Sequence, residues 1–172
     1  VPGMSMFQSG GYGTVTGIQM RGLPGRYSTI YIDGVKMSDP STPDNRYYGI
    51  NQIPAETVEK IEVLKGTHGS LYGSNAISGT IHVLTKKATE EGVKQNISLT
   101  GGLDNLYSIS KERNLNYNIL GKKNLHDFSL NINGFFTEGE SAMTDNTEKD
   151  LYRSESISAK HGYQFNENLR IE

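Results

Sequence analysis

Residues 126–137 read HDFSLNINGFFT, and the alternation within them decides the architecture of the second half of the chain. Phe128, Leu130, Ile132 and Phe136 fall on one parity, while Asp127, Ser129, Asn131 and Asn133 fall on the other. A strand turns successive side chains to opposite faces, so one face seeks an apolar neighbour and the other seeks water. The pattern recurs on both sides. In residues 107–120, Leu115, Tyr117 and Ile119 share a parity, and near the end of the chain Ile157, Ala159 and Tyr163 do so. Segments of about 10 residues with this alternation suit a transmembrane barrel, and they suit a soluble antiparallel sheet with one solvated face as well. Lys111 and Arg113 share parity with Leu115, which favours the soluble sheet unless they lie at headgroup depth, where long cationic side chains snorkel.

The connections sharpen the reading. GKKNL (121–125) and QFNEN (164–168) are short polar turns, whereas EGESAMTDNTEKD (138–150) is a longer acidic loop. Short turns alternating with longer loops match the two ends of an outer-membrane barrel.

Upstream the texture changes. Of the 20 glycines, 16 lie at or before Gly102, in SGGYG, RGLPG, IDG, KGTHG and YGSNAISG. Such punctuation predicts short strands joined by tight turns, with strands over residues 15–21, 27–33, 58–65 and 80–86. Pro54 to Thr57 reads as a single helical turn, and residues 67–72 as a short helix. The expected unit is small and mixed α/β, without a helix long enough for a doubly wound fold. ATEEGV (88–93) marks the boundary, dividing residues 1–90 from residues 91–172.

Composition narrows the chemistry. A net charge of −2 without a Lys/Arg run leaves no footprint for a phosphate backbone, so nucleic acid is not an expected partner. The absence of cysteine removes disulfides, thiolate metal sites and thiol nucleophiles. No apolar run approaches the roughly 20 residues of a membrane helix, a limit that does not apply to barrel strands. Ser70 in HGSLYG lacks the nucleophile-elbow spacing, and His68 beside it reads as a turn residue. His68, His82, His126 and His161 show no metal-ligand spacing, and GGYG and KGTHGS match neither phosphate-loop pattern. Asp39, Asp44, Asp145 and Asp150 raise calcium as a candidate, unsupported by the ordered ligand series of an EF-hand. No other cofactor is expected.

QSGGYGTVTGIQMRG, then YIDGV, then IPAETVEKIEVLKGTHGSLYGSNAISGTIHVLTKK form an ordered series across nearly all of residues 1–87. In that order and spacing they resemble the plug domain of TonB-dependent outer-membrane receptors. The resemblance implies a mixed α/β plug domain over 1–90, incomplete at its N-terminus. Over 91–172 it implies the first four to five antiparallel strands of a 22-stranded transmembrane β-barrel, incomplete at its C-terminus. It further implies residence in the bacterial outer membrane, contact with its lipid, and coupling to the TonB complex for uptake of an iron-siderophore, haem or cobalamin; cobalamin and catecholate-siderophore receptors are the nearest in pattern.

By the same resemblance, Arg21 faces barrel-wall glutamates that lock the plug, and Lys65 stands where a second such arginine is usual. Lysine keeps the charge and loses the bidentate fork. The turns directed toward the outside are 9–14 and 37–49, which makes Tyr12, Thr14, Asp44, Asn45, Arg46, Tyr47 and Tyr48 the candidate ligand contacts. The tyrosines offer amphipathic surface at low entropy cost and Arg46 a charge for an anionic group, while packing against the lumen wall is the alternative for the aromatics. Two other functions compete with uptake. One is an adhesion or structural outer-membrane module, and the other a soluble carbohydrate-active enzyme, for which no carboxylate pair stands out.

Overall fold

The computed structural model describes residues 2–42, 49–67, 69–73, 75–104, 110–139, 150–166 and 169–172. It divides into two compact units, Val1–Thr85 and Lys86–Glu172. Among the described residues the first unit has six strands: β1 (Met4–Gln8), β2 (Thr16–Met20), β3 (Ser28–Ile32), β4 (Val35–Met37), β5 (Val58–Lys65) and β6 (Gly79–Thr85). One helical turn, α1 (Gly69–Tyr72), precedes β6, and Ala55–Thr57 is the single turn foreseen after Pro54. Strands β1 and β4 and the short turns at Gly25–Tyr27 and Ile50–Gln52 were not foreseen. They are three to five residues long, too short for a periodicity to register.

Strands β1 and β2 pair antiparallel, and the other four form a sheet in the order β4-β3-β6-β5. Only β3 and β6 run parallel, and the chain between them contains β4 and β5 in place of a crossover helix. Register brings Met37, Ile30, Ile81 and Val63 into one row, with Ile32 and Val83 side by side in the next-but-one. Ile18 and Met20 of β2 complete a core with Ile30, Ile81 and Val83. Each such side chain contributes about 1.5–3 kcal/mol when fully buried. The opposite face carries the row Lys36, Tyr31, His82 and Glu62, where the Tyr31 and His82 rings stack at 4.9 Å and Tyr72 of α1 meets both edge-on.

The IDG turn has two functions in this unit. Asp33 (φ +48°) and Gly34 (φ +85°) close the β3–β4 hairpin with the positive φ angles of a type I′ turn. The Asp33 carboxylate then accepts from Thr85 N at 2.9 Å and Thr85 Oγ1 at 2.7 Å, which fixes the end of β6.

The second unit is one antiparallel meander: β7 (Gly92–Asp104), β8 (Ser110–Lys123), β9 (His126–Thr137), β10 (Tyr152–Asn166) and β11 (Leu169–Ile171). Strands β8 and β9 continue through most of GKKNL, leaving Asn124 (φ +55°) and Leu125 as the whole turn. The two faces have the opposite of a soluble sheet's burial. Ile97, Leu99 and Ile157 are 70–80% exposed, whereas Asn116 is 0% and Asn131 5% exposed. A soluble sheet buries its apolar side, so this burial removes the soluble reading left open by the alternation. On the apolar face Arg113, Phe136 and Arg153 share one row at the far end from the Asn124 turn. From Phe128 to Phe136 the strand covers about 27 Å, or about 21 Å when tilted by about 40°, close to the roughly 25 Å band of an outer-membrane barrel. On that count the cation row lies near the edge of such a band, from which long cationic side chains can snorkel.

Two glycines of the first unit give a contrast that can be measured. A Cβ on Gly79 (φ +152°) would sit 2.4 Å from Leu64 O and 2.6 Å from Met20 Sδ, whereas one on Gly22 (φ +76°) would meet open space. Gly22→Ala is expected to cost about 1 kcal/mol from its φ alone. Gly79→Ala should cost about 1–3 kcal/mol more, from overpacking against backbone and a fully buried Met20. Hydrogen exchange at the β5 and β6 amides measures both; equal effects would show that the close approach at Gly79 is relieved without cost.

Candidate functional site

Three places in the first unit hold residues singled out by sequence. At the β1–β2 apex, residues 9–15, Gly11 O accepts from Gln8 Nε2 at 2.7 Å, Thr14 Oγ1 at 2.8 Å and Thr14 N at 3.3 Å. Ser9 N donating to Val15 O at 3.1 Å closes the neck of this loop. Thr14 thus spends its hydroxyl proton within the loop and keeps only acceptor capacity. Tyr12 stands at the tip, about half exposed.

After β4, Asp39 accepts from Ser41 N at 2.9 Å and Ser41 Oγ at 2.6 Å, while Thr42 N and Oγ1 return to Asp39 O. The hydrogen bonds from the Ser41 hydroxyl and then its amide hold the Asp39 carboxyl below the ordinary carboxylate range. Because the folded value is depressed, the turn's gain is full above that range and is lost as pH falls through the lowered value. Asp44, Asn45, Arg46, Tyr47 and Tyr48 lie outside the described residues, as do His68 and Asp145. Among the described residues no three His, Cys, Asp or Glu side chains come together as metal ligands.

Arg21 and Lys65 are brought to one place. Arg21 (φ +55°) and Gly22 make the turn between Met20 and Leu23, which exchange hydrogen bonds at 3.2 and 3.0 Å. Arg21 N donates to Gly3 O at 2.7 Å, and Lys65 Nζ donates to Pro2 O at 2.5 Å. The Arg21 guanidinium reaches the residue after Lys65, with Nη1 3.8 Å from where a Cβ on Gly66 would stand. Both cations are exposed and, among the described residues, neither meets a carboxylate. Left-handed backbone at an arginine costs roughly 1–2 kcal/mol, and such a cost persists where position serves a purpose.

The polar face of the second unit carries an ion-pair network that sequence reasoning missed. Arg170 of β11 reaches past β10 to Asp127 of β9 in a bidentate pair at 2.6 and 2.9 Å. The path is open because Gly162 lies between them: a Cβ there would be 2.3 Å from Arg170 Nη2 and 2.8 Å from Asp127 Oδ2. Glu172 joins the network, pairing with Lys87, with Lys160 at 3.3 Å and with Arg170 at 3.3 Å. A glycine in a strand can mark close approach, and Gly162 was the signal available in sequence.

The outward face has its own device. The Phe128 ring lies over Gly121, its cross-strand partner, where a Cβ would be 2.3 Å from ring atoms. Phe7 covers Gly17 in the same way between β1 and β2. In each pair the aromatic restores the surface that the glycine lacks.

Comparison with known proteins agrees with these features. Residues 1–80 match the TonB-dependent receptor plug domain. The vitamin B12 transporter BtuB of Vibrio vulnificus is 31% identical over 170 residues, 97% of this chain and 26% of that protein. An iron-regulated outer membrane virulence protein of Vibrio cholerae is 29% identical over 177 residues, covering all of this chain and 26% of the relative. The siderophore receptor PirA from Acinetobacter baumannii superposes with a TM-score of 0.71 at 21% identity, over 97% of this chain and 26% of that one, and shows the fold. The chain spans about a quarter of the length of the relatives it matches.

The Gly162 window makes a coupled prediction. Arg170→Ala should cost about 1–2 kcal/mol, the low end for hydrogen bonds to a charged group because the pair is partly exposed. Gly162→Ala should cost a similar amount by displacing the guanidinium, and the double variant little more than either single. Protection of the β9, β10 and β11 amides against exchange reads this cycle; additive losses would mean that Gly162 acts independently of the Arg170–Asp127 pair.

Proposed function

This chain is a member of the TonB-dependent outer-membrane receptor family, with the plug domain in residues 1–80, and on that premise we propose that the protein it forms part of imports a scarce nutrient across the bacterial outer membrane. The cargo is an iron-siderophore, haem or cobalamin; the relatives' names include a vitamin B12 transporter and a siderophore receptor. Energy comes through the TonB complex, and no bond in the cargo is broken. One observation carries the reading beyond the plug itself. The meander of the second unit exposes Ile97, Leu99 and Ile157 on its apolar face and buries Asn116, Asn118, Asn131 and Asn133 on its polar one, the sense expected of a wall between lipid and an aqueous lumen.

In this reading residues 1–90 are the plug and residues 91–172 the opening strands of a 22-stranded barrel. A barrel of that width would be an open hole without a folded domain inside it. Arg21 and Lys65 lock the plug to carboxylates of the wall. Their convergence, their exposure and the left-handed backbone at Arg21 support that role. Tyr12 and Thr14 at the β1–β2 apex, with Asp44, Asn45, Arg46, Tyr47 and Tyr48 in the following connection, contact the cargo.

Uptake is tested in cells deleted for their own receptors and expressing the full receptor. Labelled cobalamin, ferric siderophores and haem are supplied with and without an uncoupler. One of the cargoes should accumulate in an uncoupler-sensitive way; surface binding without accumulation would point to an adhesion module instead.

The contact residues are tested by titrating that cargo. Tyr47→Ala or Tyr48→Ala should weaken binding by roughly 1–3 kcal/mol, and Arg46→Ala should weaken an anionic cargo more at low salt than at high. Unchanged affinity in all three would remove this connection from the binding site.

A further inference from the structure

The outward face of the second unit ends, beside the Asn124–Leu125 turn, in a pair of histidines that sequence spacing did not bring together. His126 opens β9 and His161 lies near the end of β10; register places His126 opposite Tyr163 and His161 opposite Phe128, so the two are diagonal neighbours. His126 Nδ1 and His161 Nε2 are 3.1 Å apart, with ring centroids at 5.3 Å and planes inclined by 29°. Both side chains are exposed. Tyr163 packs against His126 at 4.7 Å, and Phe165 meets Tyr163 edge-on at 4.5 Å, so the imidazole of His126 is braced from one side.

The geometry points to a transition-metal site formed by His126 and His161. Two nitrogens bound to one ion at about 2.0–2.1 Å stand about 2.8–3.0 Å apart across the 90° angle of octahedral coordination and about 3.3–3.4 Å apart in tetrahedral coordination, so the pair's separation already lies within the range that ligands of one ion span. Imidazole suits Zn²⁺, Cu²⁺ and Ni²⁺, whereas Ca²⁺ and Mg²⁺ require oxygen ligands. No third His, Cys, Asp or Glu joins the pair among the described residues. The site is therefore bidentate and open, with water or another oxygen donor completing the shell, and it exchanges its ion as closed structural sites do not. Lys123 stands opposite His126 on the same face, and its flexible stem lets the ammonium turn away from the ion. A bound ion would link β9 to β10 at the end of the apolar band where their hairpin partners separate.

The test uses the full receptor, free of any histidine tag, in detergent, with Cu²⁺ as the probe. Electron paramagnetic resonance should show one equivalent bound with two nitrogen ligands, and Zn²⁺ should displace it. His126→Gln and His161→Gln should each weaken that equivalent by at least about 10–100-fold, the range already seen when only outer-shell partners are lost. Circular dichroism of the two variants should match the parent, since both side chains lie on the surface. No saturable equivalent, an equivalent unaffected by both substitutions, or one lost in only one of them would overturn the assignment and leave the pair as a hydrogen-bonded contact.

Discussion

A strand standing between hydrocarbon and water has to satisfy every backbone group sideways, through its neighbours, and has to present opposite chemistry on its two faces. Within the five-stranded meander β8 and β9 are paired along both edges, and their two faces differ in chemistry, while β7 and most of β10 keep an outer edge for further strands to pair with. Register is continuous through β7, β8 and β9 and through all of β9 against β10, so the central rows keep one chemistry across strands. Ile97, Tyr117, Ile132 and Ile157 line up on one side, and Ser98, Asn116, Asn133 and Ser156 on the other. Slipping any strand by one residue would move its apolar set into the lumen and its amides into lipid. Glycines are placed where that register needs room. Gly121 admits the Phe128 ring on the apolar side and Gly162 admits the Arg170 guanidinium on the polar side.

The first unit works under a different constraint. It has one face to bury, and it does so with β1–β2 laid over the inner rows of a four-stranded sheet. Its turns carry the left-handed residues Arg21 and Asp33, and these do more than reverse the chain. Asp33 is tied to the end of β6, while Arg21 holds a cation beside Lys65 at an exposed end.

Sequence reading recovered the long strands and the identity of the first unit, because period-two alternation and glycine-bounded turn motifs are local signals. The faces of β9 were correctly divided at Phe128, Leu130, Ile132 and Phe136. What alternation could not provide was the sign of the burial: a soluble sheet and a barrel wall share the pattern and differ in which side is enclosed. Short elements such as β1 and β4 escaped for want of a period. The Arg170–Asp127 bridge and the His126–His161 pair escaped because their partners lie 43 and 35 residues apart, joined only through register.

The direction of the apolar face is the central claim, and site-directed spin labelling of the intact receptor in a lipid bilayer tests it directly. This chain has no cysteine, so single cysteines introduced along β7 and β9 give unambiguous labels within it. Labels at 97, 99, 130 and 132 should relax with lipid-soluble oxygen and be shielded from a polar nickel complex, while labels at 96, 98, 131 and 133 should be shielded from oxygen. A uniform profile, or oxygen contact at the asparagine positions, would contradict a wall that faces lipid with Ile97, Leu99 and Ile132.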